Sequence, residues 1–158
     1  MNIITDDVTH PAVLALLEEH LADMYASSPP ESVHALELDE LRAADVTFWT
    51  AWDGDALLGC GALKELDPAH GEIKSMRTAR NQLRKGVAAA ILDHIIGVAR
   101  ERGYTRLSLE TGSGGPFEAA LRFYENQGFE YCGPFADYVL DPFSRFMTRS
   151  LANQENQR

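Results

Sequence analysis

Apolar residues recur along this chain with two spacings, and the change from one to the other divides it. Asn2-Ile3-Ile4 reads as a short first strand. Val13, Leu14, Leu16, Leu17, Leu21 and Met24 then share one face of a helix. Thr9 stands where an N-cap belongs, with Pro11 at the second helical position, and Ser27-Ser28-Pro29-Pro30 stops the helix. Residues 31–44 are acidic and without a clear period, which predicts a loop and a short helix over 38–42. Residues 46–52, Val-Thr-Phe-Trp-Thr-Ala-Trp, are rich in strand formers. Along them Phe48, Trp49 and Trp52 alternate faces, so at least one belongs to the core. Asp53-Gly54 begins a tight turn, and residues 57–64 form the returning strand. Asp67-Pro68 marks the next turn and residues 71–78 a third strand, completing an antiparallel meander.

Helical spacing then takes over. Val87, Ala88, Ile91, Leu92, Ile95, Val98 and Ala99 line one face, and Gly103 ends that helix. Residues 106–110 read as a strand, so residues 71–110 form a strand–loop–helix–strand unit that favours a right-handed parallel crossover. Residues 112–116 are a flexible loop, residues 117–127 a second helix capped by Gly128, and Tyr131-Cys132 with Phe146-Met147-Thr148 the closing strands. A meander followed by a crossover gives an α+β, or mixed α/β, sheet in one domain over residues 1–151, with 152–158 as a polar tail.

Composition narrows the function. The chain has 158 residues, 45% hydrophobic and 24% charged, as expected of a single globular domain. No stretch approaches the roughly 20 apolar residues of a membrane span, and residues 1–7 lack the basic and apolar regions of a signal peptide. Cys60 and Cys132 are too few for a disulfide framework or a zinc site and read as buried small hydrophobes. The five histidines show no metal spacing. A cytoplasmic location and no metal are the expectations.

A net charge of −10 argues against nucleic acid or an anionic membrane as the main partner. The charge is uneven. Residues 1–70 hold 14 acidic residues against Arg42 and Lys64, whereas residues 71–158 hold 12 basic and 10 acidic. Lys74, Arg77, Arg80, Arg84 and Lys85 lie close together, which suggests a small polyanionic ligand.

Leu83-Arg84-Lys85-Gly86-Val87-Ala88 lies between a strand and the long amphipathic helix. Glycine there lets a ligand approach the backbone. The first turn of the helix offers unpaired N–H groups and a partial positive charge, and Arg84 and Lys85 add full charges. The three-glycine dinucleotide fingerprint and the Gly-Lys-Ser/Thr phosphate loop are both absent.

This stretch resembles the signature of the GNAT N-acetyltransferases, (Gln/Arg)-x-x-Gly-x-(Gly/Ala) at the start of the central helix. Gly86 and Ala88 match its last two fixed positions, and Leu83 departs from the first. Residues 119–129, Ala-Ala-Leu-Arg-Phe-Tyr-Glu-Asn-Gln-Gly-Phe, resemble the second hallmark, a helix ending in Phe/Leu-Tyr-x-x-x-Gly-Phe. Glu-Ile-Lys-Ser-Met-Arg-Thr at 72–78, Arg-Lys-Gly-Val-Ala at 84–88 and Leu-Glu-Thr-Gly at 109–112 are similar to a bacterial branch of uncharacterised small-molecule acetyltransferases. The resemblance, over about residues 46–151, implies a mostly antiparallel, splayed central sheet flanked by helices. It implies acetyl-CoA as co-substrate. Backbone N–H groups of Arg84, Lys85, Gly86, Val87 and Ala88 would hold the pyrophosphate. The pantetheine arm would run beside Lys74, Ser75 and Met76, and the Met76 N–H would polarise the thioester carbonyl. Tyr124 would protonate the leaving thiolate. Pairing of sheet edges into a homodimer is also a habit of that family.

Direct transfer to nitrogen needs a neutral amine. An alkylamine has a pKa of roughly 10.4, so only about one molecule in a thousand is neutral at pH 7. A base is therefore useful. Glu72 is the first choice, because it stands as far before Gly86 as the base glutamate of the histone-acetylating branch. Glu110, at the end of the crossover strand, is the second. The expected activity is acetyl transfer to a small-molecule or exposed amine in a ternary complex. The alternative is a non-catalytic CoA-binding regulatory module. The acidic N-terminal half would shape the acceptor pocket, its charge suits a cationic amine, and His34 reads as a surface residue or a lining residue of that pocket. Arg77 offers the opposite option, a salt bridge to an acceptor carboxylate.

Overall fold

The strand-forming runs and hairpin turns build one seven-stranded sheet. The computed structural model describes residues 1–33, 38–83 and 85–151. Its elements are β1 (Asn2–Thr5), α1 (Pro11–Ser27), α2 (Leu38–Leu41), β2 (Val46–Asp53), β3 (Ala56–Asp67), β4 (His70–Thr78), α3 (Val87–Glu101), β5 (Arg106–Thr111), α4 (Glu118–Asn126), β6 (Glu130–Cys132) and β7 (Arg145–Ser150). The strand order is β1-β2-β3-β4-β5-β7-β6. Every neighbouring pair is antiparallel except β4 and β5, the parallel pair that the crossover requires. The mixed α/β expectation therefore holds.

The alternation of the strands sends apolar groups to both faces. Ile91, Leu92 and Ile95 of α3 pack with Trp49, Leu63, Ile73, Leu107 and Met147 on one face. Val13, Leu16 and Leu17 of α1 and Leu41 of α2 pack with Phe48, Cys60 and Ala62 on the other. Each fully buried leucine or isoleucine here contributes about 1.5–3 kcal/mol by leaving water. Phe48 and Trp49 are successive residues and point to opposite faces, as the period of two demands.

Three local expectations are corrected. The cap of α1 is His10, whose Nδ1 accepts from the Ala12 N–H at 3.0 Å, and Pro11 is the first helical residue. Thr9 is engaged elsewhere, donating its hydroxyl to Asp7 at 2.6 Å. Cys132 is only half-buried because it lies on the short edge strand β6, whereas Cys60 is fully buried. His34, Arg84 and the tail at 152–158 fall outside the described residues.

The feature that matters for function is a fork between β4 and β5. Their pairing runs only through His70↔Arg106, Gly71↔Leu107 and Glu72↔Ser108. Beyond that, β4 pairs with β3 alone and β5 with β7 alone. The divergence coincides with a bulge in β4. Cys60 faces Arg77 and Ala62 faces Lys74, so Ser75 and Met76 together oppose Gly61. Ser75 takes a left-handed φ of 55°, uncommon for a residue with a side chain. The buried Cys60 thiol donates to the Ser75 carbonyl at 3.2 Å and ties the bulge to β3.

The bulge forces glycines on β3. A Cβ at Gly59 would lie 2.7 Å from the Arg77 carbonyl oxygen and 3.0 Å from Val87 Cγ1. That contact involves backbone, which cannot swing aside. Gly59→Ala should therefore destabilise the protein by about 1–3 kcal/mol. Urea unfolding checks this, and an unchanged midpoint would mean that β3 and the bulge adjust freely.

Candidate active site

The fork opens into a cavity of about 320 Å³. β4 supplies one wall with residues 72–76, and β5 the other with residues 109–111. Ala120 and Tyr124 of α4 line it on the α3 face of the sheet. His20, Asp23 and Met24 of α1 line it on the opposite face, with Ser27, Ser28, Ser32 and Phe143. The cavity thus passes through the sheet, and two different molecules can reach the same point from opposite faces. Ser32 donates to Asp141 at 2.5 Å, joining the segment after α1 to the segment before β7.

At the head of α3, Gly86 has a φ of 79° and caps the helix without any side-chain bond. The first helical bond runs from the Ala90 N–H to the Gly86 carbonyl. The Val87, Ala88 and Ala89 N–H groups precede it and, among the described residues, have no partner within the helix, an arrangement that suits an anion. No Cβ contact restrains Gly86, so its glycine meets a backbone requirement and not a crowding one. Lys85 is exposed, 3.3 Å from the Gln82 side chain. Because Val87 lies over Gly59, beside Arg77, this helix start sits at the open end of β4.

The titratable groups divide by environment. Glu72 is 3% exposed. It accepts from the Tyr138 hydroxyl at 2.5 Å and from Lys74 Nζ at 3.2 Å. Lys74 also donates to the Tyr138 oxygen at 2.8 Å. Burial, reinforced by the Glu72 carboxylate, holds the Tyr138 phenol protonated. Glu110 stands apart from this triad. Burial pushes its carboxyl up to about 7, against the pull of the Ser144 hydroxyl and Lys74, with Glu72 and Asp141 adding to the rise. Tyr124 is buried against Phe123 and Phe129, and burial alone lifts its phenol well above the ordinary range. It stays protonated at neutral pH, as a proton donor must.

Arg77 is engaged through one end of its guanidinium, while its Nε is buried without a hydrogen-bond partner. Its NH2 group lies 2.6 Å from both Glu19 Oε1 and Asp23 Oδ2 of α1. Arg80 reaches the same two carboxylates at 2.9 Å. This lattice clamps α1 to the bulged end of β4. Beside it, His20 is held neutral, its pKa lowered to about 4 by burial and by the Arg77 charge.

The fork brings Glu72, Lys74, Ser75, Met76 and Tyr124 to one cavity, while Lys85, Gly86, Val87 and Ala88 sit at the head of α3. Glu110 joins the cavity group. Sequence reasoning did not single out His20 and Tyr138. His20 reads as one more residue of an amphipathic helix, and Tyr138 lies in an aperiodic segment, so neither carries a local signal.

With this geometry in hand, comparison with known proteins is direct. Residues 13–129 match the model of the acetyltransferase (GNAT) family. The chain is 60% identical over 151 residues to the uncharacterized N-acetyltransferase YsnE of Bacillus subtilis (strain 168), covering 96% of this chain and 100% of that one. It is 56% identical over 150 residues to the uncharacterized N-acetyltransferase YedL of Escherichia coli (strain K12), covering 95% and 94%. The fold matches the crystal structure of an acyl-CoA N-acyltransferase from Klebsiella pneumoniae with a TM-score of 0.77 at 24% identity, over 95% and 97% of the two chains. A GNAT acetyltransferase from Elizabethkingia anophelis with acetyl-CoA bound matches with a TM-score of 0.66 at 18% identity, over 95% and 97%. The chain belongs to the acetyltransferase (GNAT) family and is an acyltransferase. Among the described residues, no helix is long and apolar enough to cross a membrane.

Glu110 makes a stability prediction with a definite sign. Its folded pKa of about 7 lies above the ordinary 4.5. The folded form therefore holds its proton more tightly, and that stabilisation is complete below the ordinary value and lost as pH rises through about 7. Relative to wild type, Glu110→Gln should gain roughly 1–3 kcal/mol between about pH 5 and pH 8. Urea unfolding at the two pH values checks this, and a pH-independent difference would contradict the burial argument.

Proposed function

We propose that this protein transfers the acetyl group of acetyl-CoA to an amine by direct attack in a ternary complex. Residues 1–151 form the catalytic unit. The observation that carries this reading is the fork. It leaves the β4 edge at residues 74–78 without a strand partner on the β5 side, and it opens the cavity to both faces.

The donor enters on the α3 and α4 face. The N–H groups of Gly86, Val87 and Ala88 bind the pyrophosphate, aided by Lys85 and by Arg84, its neighbour in the sequence. The pantetheine amides lie along Lys74, Ser75 and Met76 as an added strand. The bulge turns the Met76 N–H toward the thioester oxygen, where it stabilises the negative charge of the tetrahedral intermediate. The amine approaches from the α1 face and attacks the carbonyl carbon. The tetrahedral intermediate then expels the CoA thiolate, and Tyr124 supplies its proton.

Of the two carboxylates, Glu110 suits the base role better. Glu72 already accepts from Lys74 and Tyr138, which commits its Oε2 to the protein and away from an acceptor amine. Glu110 titrates at about 7, near the value that general-base catalysis favours at neutral pH. Glu72 instead holds Lys74 and Tyr138 in place. The unpaired thiols Cys60 and Cys132 suit a reducing compartment such as the cytoplasm.

Thiol release from acetyl-CoA in the presence of an amine panel tests this reading. For an accepted amine, kcat/KM should rise through about pH 7 and then level as Glu110 ionises. Glu110→Gln should lose that limb and fall about 10²–10⁴-fold in rate. Tyr124→Phe should lower kcat while leaving acetyl-CoA binding intact. A protein that binds acetyl-CoA but releases no thiol with any amine would be the CoA-binding module instead.

A further inference from the structure

We infer that the acceptor is a primary amine bearing neutral hydrogen-bonding groups and no carboxylate near the amine, and that His20 reads one of those neutral groups. This rests on the acetyl-transfer reading above. It follows from the charges on the acceptor side of the cavity.

Among the described residues lining the cavity, the acids are Asp23, Glu72 and Glu110, and the cation is Lys74. Lys74 is committed. Its ammonium lies 3.2 Å from Glu72, donates to Tyr138 at 2.8 Å, and its side chain is 9% exposed. Arg77 is the next cation outward. It is held at 2.6 Å by both Glu19 and Asp23, with a side chain 15% exposed. A carboxylate carried in on an amino acid would lose water beside Glu110, and the lining cation Lys74 is already paired with Glu72. Like charges brought together in a site of low dielectric discriminate strongly. An ammonium gains from Glu110, which can accept its proton.

His20 fits the neutral part of such a ligand. It lines the cavity from α1, and its Nδ1 is buried with no hydrogen-bond partner. With a pKa of about 4 it remains an uncharged imidazole at neutral pH, able to donate from one nitrogen and accept at the other. Ser75 Oγ, on the opposite wall, is likewise buried and unpartnered. Two unpartnered polar side chains, on two elements that line one cavity, suit hydroxyl or amide groups of a ligand, since buried polar atoms are generally bonded.

The test uses matched pairs that differ only by a carboxylate: tyramine against tyrosine, histamine against histidine, ethanolamine against serine. Thiol release from acetyl-CoA gives kcat/KM for each. The decarboxylated member should be favoured by at least about tenfold in wild type. The double variant Glu19→Gln/Asp23→Asn uncovers Arg77 and should narrow that ratio, which a merely structural change would leave alone. His20→Leu should raise KM for ethanolamine more than for propylamine. Equal or better use of the amino acids by wild type overturns the inference. If no pair is turned over, the CoA-loaded protein is titrated with the same pairs. Selective binding of the amines then supports the inference, and amino-acid preference, equal binding or no binding overturns it. Failure of the acetyl-transfer reading itself would show separately, as absence of acetyl-CoA binding.

Discussion

Two neighbouring parallel strands in this sheet can stay together for only three residue pairs, and the rest of the molecule is arranged around that limit. β4 carries an extra residue against β3 at Ser75 and Met76, and past Glu72 it no longer pairs with β5. The bulge increases local twist and turns the strand away. An interrupted sheet exposes backbone N–H and C=O groups that would otherwise be satisfied, and such groups favour a partner. Glycines 59 and 61 on β3 let Val87 and Ile91 of α3 close over the bulge from one side. Glu19 and Asp23 hold Arg77 from the other. The opening is therefore built into the fold at both faces.

That geometry gives each part of the cavity a separate electrostatic role. The α3 face presents free helix-start N–H groups and Lys85, suited to phosphate. The α1 face presents carboxylates and a neutral imidazole, suited to an amine. Between them, Glu72 with Lys74 and Tyr138 forms a closed charge cluster, whereas Glu110 is buried with less compensation and holds its proton to about pH 7. Two carboxylates on one face of the sheet thus differ in chemistry through their neighbours alone.

Much of this was legible in the sequence where the signal is periodic or local. The apolar spacing of Val87 to Ala99 identified α3, and the meander and crossover identified a mixed sheet with one parallel pair. Gly86 and Ala88 marked the helix start, and the Phe-Tyr and Gly-Phe pairs marked α4 and its cap. Three features were not legible, for physical reasons. The bulge depends on register between strands, and Ser75 is not a residue that announces a positive φ. Arg77 could bond a ligand or the protein, and only the placement of α1 decides that it meets Glu19 and Asp23. The rank of Glu72 and Glu110 as bases depends on Tyr138 and Ser144, some thirty to seventy residues away in the chain. Sequence spacing favoured Glu72, and the pairing of Glu72 with Lys74 and Tyr138 favours Glu110.

The central claim is that the free edge of β4 and the head of α3 together receive the donor. Amide hydrogen exchange with and without acetyl-CoA measures this directly. The account predicts slowed exchange at residues 74–78 and 85–89, by at least about tenfold at saturating ligand, while β1 and β2 remain unchanged. Bound acetyl-CoA with protection elsewhere, or no protection along β4, would contradict it.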